Sequence, residues 1–134
     1  SMKHLLDVNV LVAWGWRDYA DHDRVVRWIA EQKSAQGGKL FTSPIPEMGF
    51  VRVSVQRSSG RISVQEAAEV LRGMLKSLGP RHEFLPDDLG GMEWPDWRGS
   101  AVRATDAHLL LLARRHGLEL ATLDAGIPGA KLLT

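Results

Sequence analysis

The sequence predicts an α/β domain whose central, mainly parallel sheet of four to five strands is flanked by helices on both faces. Short apolar stretches compatible with strands alternate along the chain with longer stretches of helical periodicity. The chain has 134 residues, which is the size of one ordinary domain, and we expect that domain to span residues 1–134. Ser1, which precedes Met2, is expected to be a remnant of tag removal.

The amino-terminal half is expected to contain two strands, each followed by helical structure. An apolar run predicts the first strand and continues into a short helix or turn. Apolar residues on one helical face predict the next helix, which a Gly-Gly pair ends. A second short apolar stretch predicts the second strand, and a proline opens the helix after it. In chain order these elements are residues 4–8, 10–16, 21–36 and 39–43, then a helix from Pro44 to a loop at residues 58–60.

Helix and strand signals alternate again in the carboxy-terminal half. Ser63 followed by Glu66 is a capping-box pattern that opens a helix. Thr105 is expected to cap a strongly apolar helix, which Gly117 ends. Three short apolar stretches predict strands, and a segment with two Trp and two Pro predicts a loop. In chain order these elements are a helix at 63–78, a strand at 82–85, a loop at 86–98, a helix at 106–116 and strands at 118–123 and 131–133.

Four carboxylates follow predicted strands or begin the helices after them. Asp7 ends the first strand, Glu47 lies in the first turn after the second, Asp106 begins the apolar helix, and Asp124 directly follows the strand at residues 118–123. We expect all four at one edge of the sheet, where ligands of parallel sheets bind. Asp7 is the most informative, because an ionised carboxylate among apolar residues is costly unless something compensates its charge.

Converging carboxylates repel one another unless a cation lies between them. Mg²⁺ and Mn²⁺ prefer oxygen ligands, and a metal ion held by carboxylates can polarise a phosphodiester and activate a water. Asn9, two residues after Asp7, is expected to orient a carboxylate or a metal-bound water, and Thr122 or Ser43 are candidates for the same task. These residues predict a site for phosphodiester hydrolysis.

Taken singly, three of the acids have structural explanations. Asp106 is also a first-turn acid favoured by the helix dipole, Asp124 a turn residue, and Glu47 a solvated helix acid. The prediction of a metal site therefore depends on the joint pattern.

Bulk composition narrows the classes of protein. The chain has no cysteine, which excludes a disulfide framework and a thiolate metal site, and its net charge of +1 gives no nucleic-acid signal by itself. No apolar run approaches the ~20 residues of a membrane span, and Asp7 and Asn9 interrupt the only candidate for a signal peptide. We therefore expect a cytoplasmic protein without membrane association.

Four segments together carry a family resemblance. They are LLDVNVLVA (residues 5–13), DHDRVVRWI (21–29), TSPIPEMGFVRV (42–53) and TDAHLLLLARRHGLELATLDAGI (105–127). In order and spacing the chain resembles the PIN-domain family, in particular the VapC-type toxins of bacterial toxin–antitoxin pairs. The resemblance covers most of the chain except residues 58–100.

The resemblance implies a metal-dependent endoribonuclease that uses Mg²⁺ or Mn²⁺. By position, Asp7, Glu47, Asp106 and Asp124 match the family's acidic cluster, and Asn9 matches the polar residue after the first acid. The resemblance also implies an RNA substrate, a PIN-like fold, inhibition by a cognate VapB-type antitoxin and a homodimer.

Other functions stay open from the sequence. A haloacid-dehalogenase-like phosphatase also has an Asp after its first strand, but that chemistry normally uses a second Asp where Asn9 stands. The same carboxylates could hydrolyse DNA, and a catalytically silent RNA- or protein-binding module would bind without metal-dependent turnover.

Several basic and aromatic residues are weaker candidates for RNA contacts. Unpaired bases stack on aromatic and guanidinium planes, and arginines bind phosphates. The candidates for stacking are Trp94, Trp97 and Arg98, with a loop pinned to the core by its tryptophans as the structural alternative, and the candidates for phosphate contacts are Arg103, Arg114 and Arg115.

Overall fold

The chain folds around one five-stranded β-sheet. The computed structural model describes residues 3–97 and 99–134. All four strand pairings are parallel, and the strand order is β3-β2-β1-β4-β5. The strands are β1 (Lys3–Leu6), β2 (Lys39–Thr42), β3 (His82–Phe84), β4 (Glu119–Thr122) and β5 (Lys131–Leu132). The predicted parallel α/β sheet is thus confirmed.

Helices connect the strands. They are α1 (Val8–Gly15), α2 (His22–Ser34), α3 (Pro44–Arg57), α4 (Val64–Lys76) and α5 (Ala104–Arg115). Two short 3-10 turns, Gly79–Arg81 and Ala101–Arg103, precede β3 and α5. Ser63 and Glu66 form the predicted capping box at the start of α4, with hydrogen bonds of 3.0 and 2.9 Å. None of the helices in the described part of the chain is both long and apolar enough to cross a membrane.

The sheet separates two apolar cores. Successive side chains of a strand point to opposite faces, and in β1 Leu6 belongs to the core packed by α1 to α4, whereas Leu5 belongs to the core packed by α5. Both leucines are fully buried. Helices therefore cover both faces, as the α/β/α prediction requires, and β1 lies in the middle of the sheet between β2 and β4.

Several boundaries differ by one or more residues from the sequence prediction, and those of β1, α1 and α5 bear on the site. The first strand ends at Leu6, because Asp7 already caps α1, and the short helix at residues 10–16 begins earlier, at Val8. The prediction that Thr105 caps its helix is wrong. The turn Ala101–Arg103 runs directly into α5, so that Thr105 lies inside the first helical turn and the residue before the helix, Arg103, makes no capping bond.

Candidate active site

Asp7 is held at the carboxyl end of the central strand by two hydrogen bonds. Its Oδ1 accepts from the amide of Val8 at 2.7 Å, which caps α1, and its Oδ2 accepts from the Thr122 hydroxyl, also at 2.7 Å. The side chain lies next to the buried residues of β1 and is itself buried, with only 4% of the residue exposed. The apolar strand thus delivers this carboxylate to a site with little water.

The ionised form of Asp7 is not compensated by these two bonds. Burial raises the pKa of Asp7 from 3.8 to about 6, although the hydrogen bonds from Thr122 and Val8 oppose the rise. The negative charges of Asp106 and Asp124 raise the pKa of Asp7 further. These three carboxylates are therefore close enough to repel one another, which favours a bound cation.

The Thr122 hydroxyl connects three groups of the site. Besides donating to Asp7, it accepts from Asn9 Nδ2 at 3.3 Å and from the backbone amide of Asp124 at 3.1 Å. Asn9 Oδ1 accepts from the amide of Leu123 at 3.1 Å. Asn9 therefore fastens the start of α1 to the end of β4, and Thr122 orients Asp7 as the sequence predicted.

Asp106 and Asp124 are bridged by one arginine. Arg103 Nη1 donates to Asp106 Oδ2 at 3.1 Å and also forms a close ion pair with Asp124 Oδ2. Donation from the amide of Gly126, at 2.8 Å, and from Arg103 lowers the pKa of Asp124. The sequence marked Arg103 only as a candidate for phosphate contacts; in the structure it neutralises part of the acidic cluster.

Glu47 lies at the same end of the sheet with different partners. Its Oε2 accepts from the Thr42 hydroxyl at 2.6 Å, and His82 Nε2 lies 2.7 Å from the same hydroxyl. Because that hydroxyl gives its proton to Glu47, it accepts one from Nε2. Burial lowers the pKa of His82, although the charge of Glu47 opposes this. No hydrogen bond within the described ranges joins Glu47 to the other three acids.

Sequence reasoning missed Thr42 and His82. It suggested Ser43 as an orienting hydroxyl, but Ser43 Oγ is buried with no hydrogen-bond partner among the described residues. The strand ends one residue earlier, and Thr42 points to Glu47 instead. A signal was present, since KLFT and ELAT both end on a threonine.

The donor set fits a hard divalent cation, although the present side-chain positions do not yet form a coordination sphere. In the described part of the chain, no three acidic or histidine side chains converge closely enough to share a metal ion. The available ligands are oxygens, as Mg²⁺ and Mn²⁺ prefer, and a cation would oppose the burial and negative charge that raise the pKa of Asp7. Metal binding would require Asp106 and Asp124 to turn from Arg103 towards the ion.

The segment between β3 and α5 is fixed mainly by contacts to α5 and the core. Asp87 Oδ2 lies 2.6 Å from His108 Nε2, and Glu93 Oε1 forms an ion pair with Arg115 Nη2, also at 2.6 Å. Trp97 packs against the core on the α5 face, as the structural alternative predicted, whereas Trp94 is exposed. Arg98, the third stacking candidate, lies outside the described residues.

The sequence matches one protein family along almost its whole length. Residues 4–131 match the family model described as PIN domain. Ribonuclease VapC39 of Mycobacterium tuberculosis is 38% identical over 130 residues, which cover 94% of this chain and 91% of that protein. Ribonuclease VapC38 of the same organism is 39% identical over 126 residues, covering 92% of this chain and 86% of that protein. Ribonuclease VapC29 is 31% identical over 128 residues, with coverages of 94% and 89%.

Proposed function

This chain belongs to the PIN-domain family, and from that premise we propose that it is a metal-dependent endoribonuclease, the toxin of a type II toxin–antitoxin pair. The relatives at 38% and 39% identity are named ribonucleases, and they align over nearly the whole chain. The observation that carries the proposal is Asp7, a buried carboxylate with a raised pKa, placed beside Asp106 and Asp124 where the parallel strands end.

In this proposal Asp7, Asp106 and Asp124 bind Mg²⁺ or Mn²⁺, and Glu47 binds it directly or through a water. Such an ion would polarise the scissile phosphodiester and lower the pKa of a bound water. Thr122 and Asn9 keep Asp7 and the backbone of Asp124 at a fixed separation. Thr42 holds one oxygen of Glu47, so that the carboxylate has a defined orientation towards the strand ends.

The proposal extends to partners and location. We expect the protein to act as a single domain over residues 1–134, to form a homodimer and to be inhibited by a cognate VapB-type antitoxin. An RNA-cleaving toxin meets its substrate in the cytoplasm, and we place it there. The support for these points is the similarity to the VapC proteins.

Cleavage of RNA by the purified protein tests the proposal. Wild type is expected to cut RNA in Mg²⁺ or Mn²⁺ and to stop on addition of EDTA. Asp7→Asn should reduce the rate more than ~100-fold, because a lost ligand costs more than the 10–100-fold typical of groups that only support ligands. Asp23→Asn, an exposed acid on α2, is the matched control and should cut like wild type.

The other functions give different results in the same assay series. A phosphatase would hydrolyse small phosphomonoesters and leave RNA intact, and a nuclease acting on DNA would prefer that backbone. A silent binding module would retain RNA without metal-dependent turnover. RNA 5′ ends mapped after brief expression of wild type and Asp7→Asn would identify the cleaved sequence. Growth arrest relieved by a co-expressed neighbouring reading frame would support the antitoxin.

A further inference from the structure

Arg103 occupies a bridging position between two acids of the candidate metal site. One nitrogen, Nη1, contacts Oδ2 of both Asp106 and Asp124. The guanidinium therefore pairs with the same two carboxylates that the proposed function assigns to the divalent cation. The guanidinium carries a permanent charge, so this contact cannot be released by deprotonation.

Two glycines make room for this side chain. A Cβ on Gly126 would overlap Arg103 Nη2 and lie 3.1 Å from its Cζ. A Cβ on Gly99 would lie 2.7 Å from the Cβ of Arg103, and Gly99 also has a φ of +64° that other residues rarely adopt. The backbone at Gly99 and at Gly126 therefore lies so close to Arg103 that a side chain at either position would contact it.

The contact is also open to solvent. About a third of the Arg103 side chain is exposed, at 32%, and the residue ends the short 3-10 turn Ala101–Arg103. Asp106 and Asp124 are likewise partly exposed, at 21% and 33%. The guanidinium can therefore leave for solvent without opening either apolar core.

We propose that Arg103 is a built-in counter-cation that competes with the divalent metal for Asp106 and Asp124 and so sets the metal concentration at which the site fills. This inference rests on the proposed function, because it presupposes that these acids bind the metal. In the metal-free protein the arginine limits repulsion among the acids. When a metal binds, both carboxylates exchange the arginine for the ion, and part of the binding free energy is lost to breaking the two ion pairs.

Binding of Mn²⁺ alone, measured by calorimetry on the full chain, tests the competition. Arg103→Gln is expected to bind Mn²⁺ on the order of tenfold more tightly than wild type, since two partly exposed ion pairs no longer have to be broken. Arg103→Lys should fall between the two. Gly126→Ala weakens the ion pairs of Arg103 without removing its charge. The added methyl group displaces the guanidinium, and Mn²⁺ binding should again tighten.

A second measurement, the melting temperature without and with Mn²⁺, distinguishes competition for the metal from a general loss of structure. The effect of Arg103→Gln on the melting temperature should change between the two conditions. In EDTA, Arg103→Gln should melt at a lower temperature than wild type, because the acids have lost their counter-cation. In saturating Mn²⁺ that difference should close or reverse. Arg115→Gln is the matched control: it removes the arginine that ends α5 and pairs with Glu93, and it should leave the Mn²⁺ affinity unchanged.

Two results overturn the proposal in distinguishable ways. If wild type binds Mn²⁺ and both Arg103→Gln and Gly126→Ala bind it equally or more weakly, Arg103 does not compete and only this inference fails. If neither wild type nor any variant binds Mn²⁺, the inference and the metal-dependent function fail together.

Discussion

Two strand-terminal threonines flank the central strand and perform the same local task with different consequences. Thr122 ends β4 and donates to Asp7 at 2.7 Å, and Thr42 ends β2 and donates to Glu47 at 2.6 Å. Both threonines are completely buried. Asp7, the carboxylate that accepts from Thr122, is buried beside two further acids. Glu47, the carboxylate that accepts from Thr42, is partly exposed, and the same threonine hydroxyl also contacts His82.

The comparison shows that a hydrogen bond positions a carboxylate without neutralising it. Asp7 keeps a pKa of about 6 despite two donors, because burial and neighbouring negative charges outweigh them. Glu47 accepts from one donor, the Thr42 hydroxyl, which also contacts the imidazole of His82, and the Glu47 side chain is partly exposed. In the proposed function the divalent cation therefore compensates chiefly the charge of Asp7, whose two hydrogen-bond donors do not.

The largest expected difference concerns folding stability without metal. The pKa of Asp7 rises from 3.8 to about 6 in the folded protein, so the ionised carboxylate opposes folding by about 3 kcal/mol above pH ~6. This penalty disappears as the pH falls from ~6 towards ~4, because the folded state then binds a proton that the unfolded state does not. Asp7→Asn has no such penalty at any pH.

Urea unfolding in EDTA over a series of pH values measures this effect. The free energy of unfolding of Asp7→Asn minus that of wild type should decrease by most of ~3 kcal/mol between pH ~7.5 and pH ~4. Burial lowers the pKa of His4, so protonation of His4 destabilises the fold in acid, but it does so in both proteins and cancels in the difference. A difference that is constant with pH would mean that Asp7 is not strained as an anion.

A smaller difference separates the two threonines. Thr122→Val removes contacts to Asp7, Asn9 and the backbone of Asp124 and should lower kcat/KM for RNA cleavage by ~10–100-fold, as loss of a group that orients ligands typically does. Thr42→Val frees only Glu47 and His82, and we expect a loss below ~10-fold. Equal losses, or a larger loss in Thr42→Val, would contradict the assigned asymmetry.

The sequence was sufficient to predict the sheet and the acids at its edge, because both depend on local signals. An apolar strand followed at once by an acid, as in HLLD and LATLD, determines which strand is buried and where its carboxylate emerges. The parallel arrangement then follows from the alternation of strands and helices.

The bridge by Arg103 could not be predicted, because it depends on tertiary geometry. It requires the turn Ala101–Arg103 to enter α5 without a cap, which also made the Thr105 prediction wrong, and it requires space at Gly126, 23 residues further along the chain than Arg103. The choice of Thr42 over Ser43 depended on the last residue of β2, and strand ends are the least certain feature of a sequence pattern.

The most direct test of the central claim, that the buried charge of Asp7 is compensated by a divalent cation, is the stabilisation of the fold by Mn²⁺. Free energies of unfolding are measured in EDTA and at a Mn²⁺ concentration of ~100 times the wild-type Kd, for wild type, Asp7→Asn and the control Asp23→Asn. Wild type and Asp23→Asn should gain about 2.7 kcal/mol, as mass action requires for a ligand that binds only the folded state, and Asp7→Asn should gain almost nothing. An equal gain in Asp7→Asn would show that the metal does not bind at Asp7 and would contradict the account.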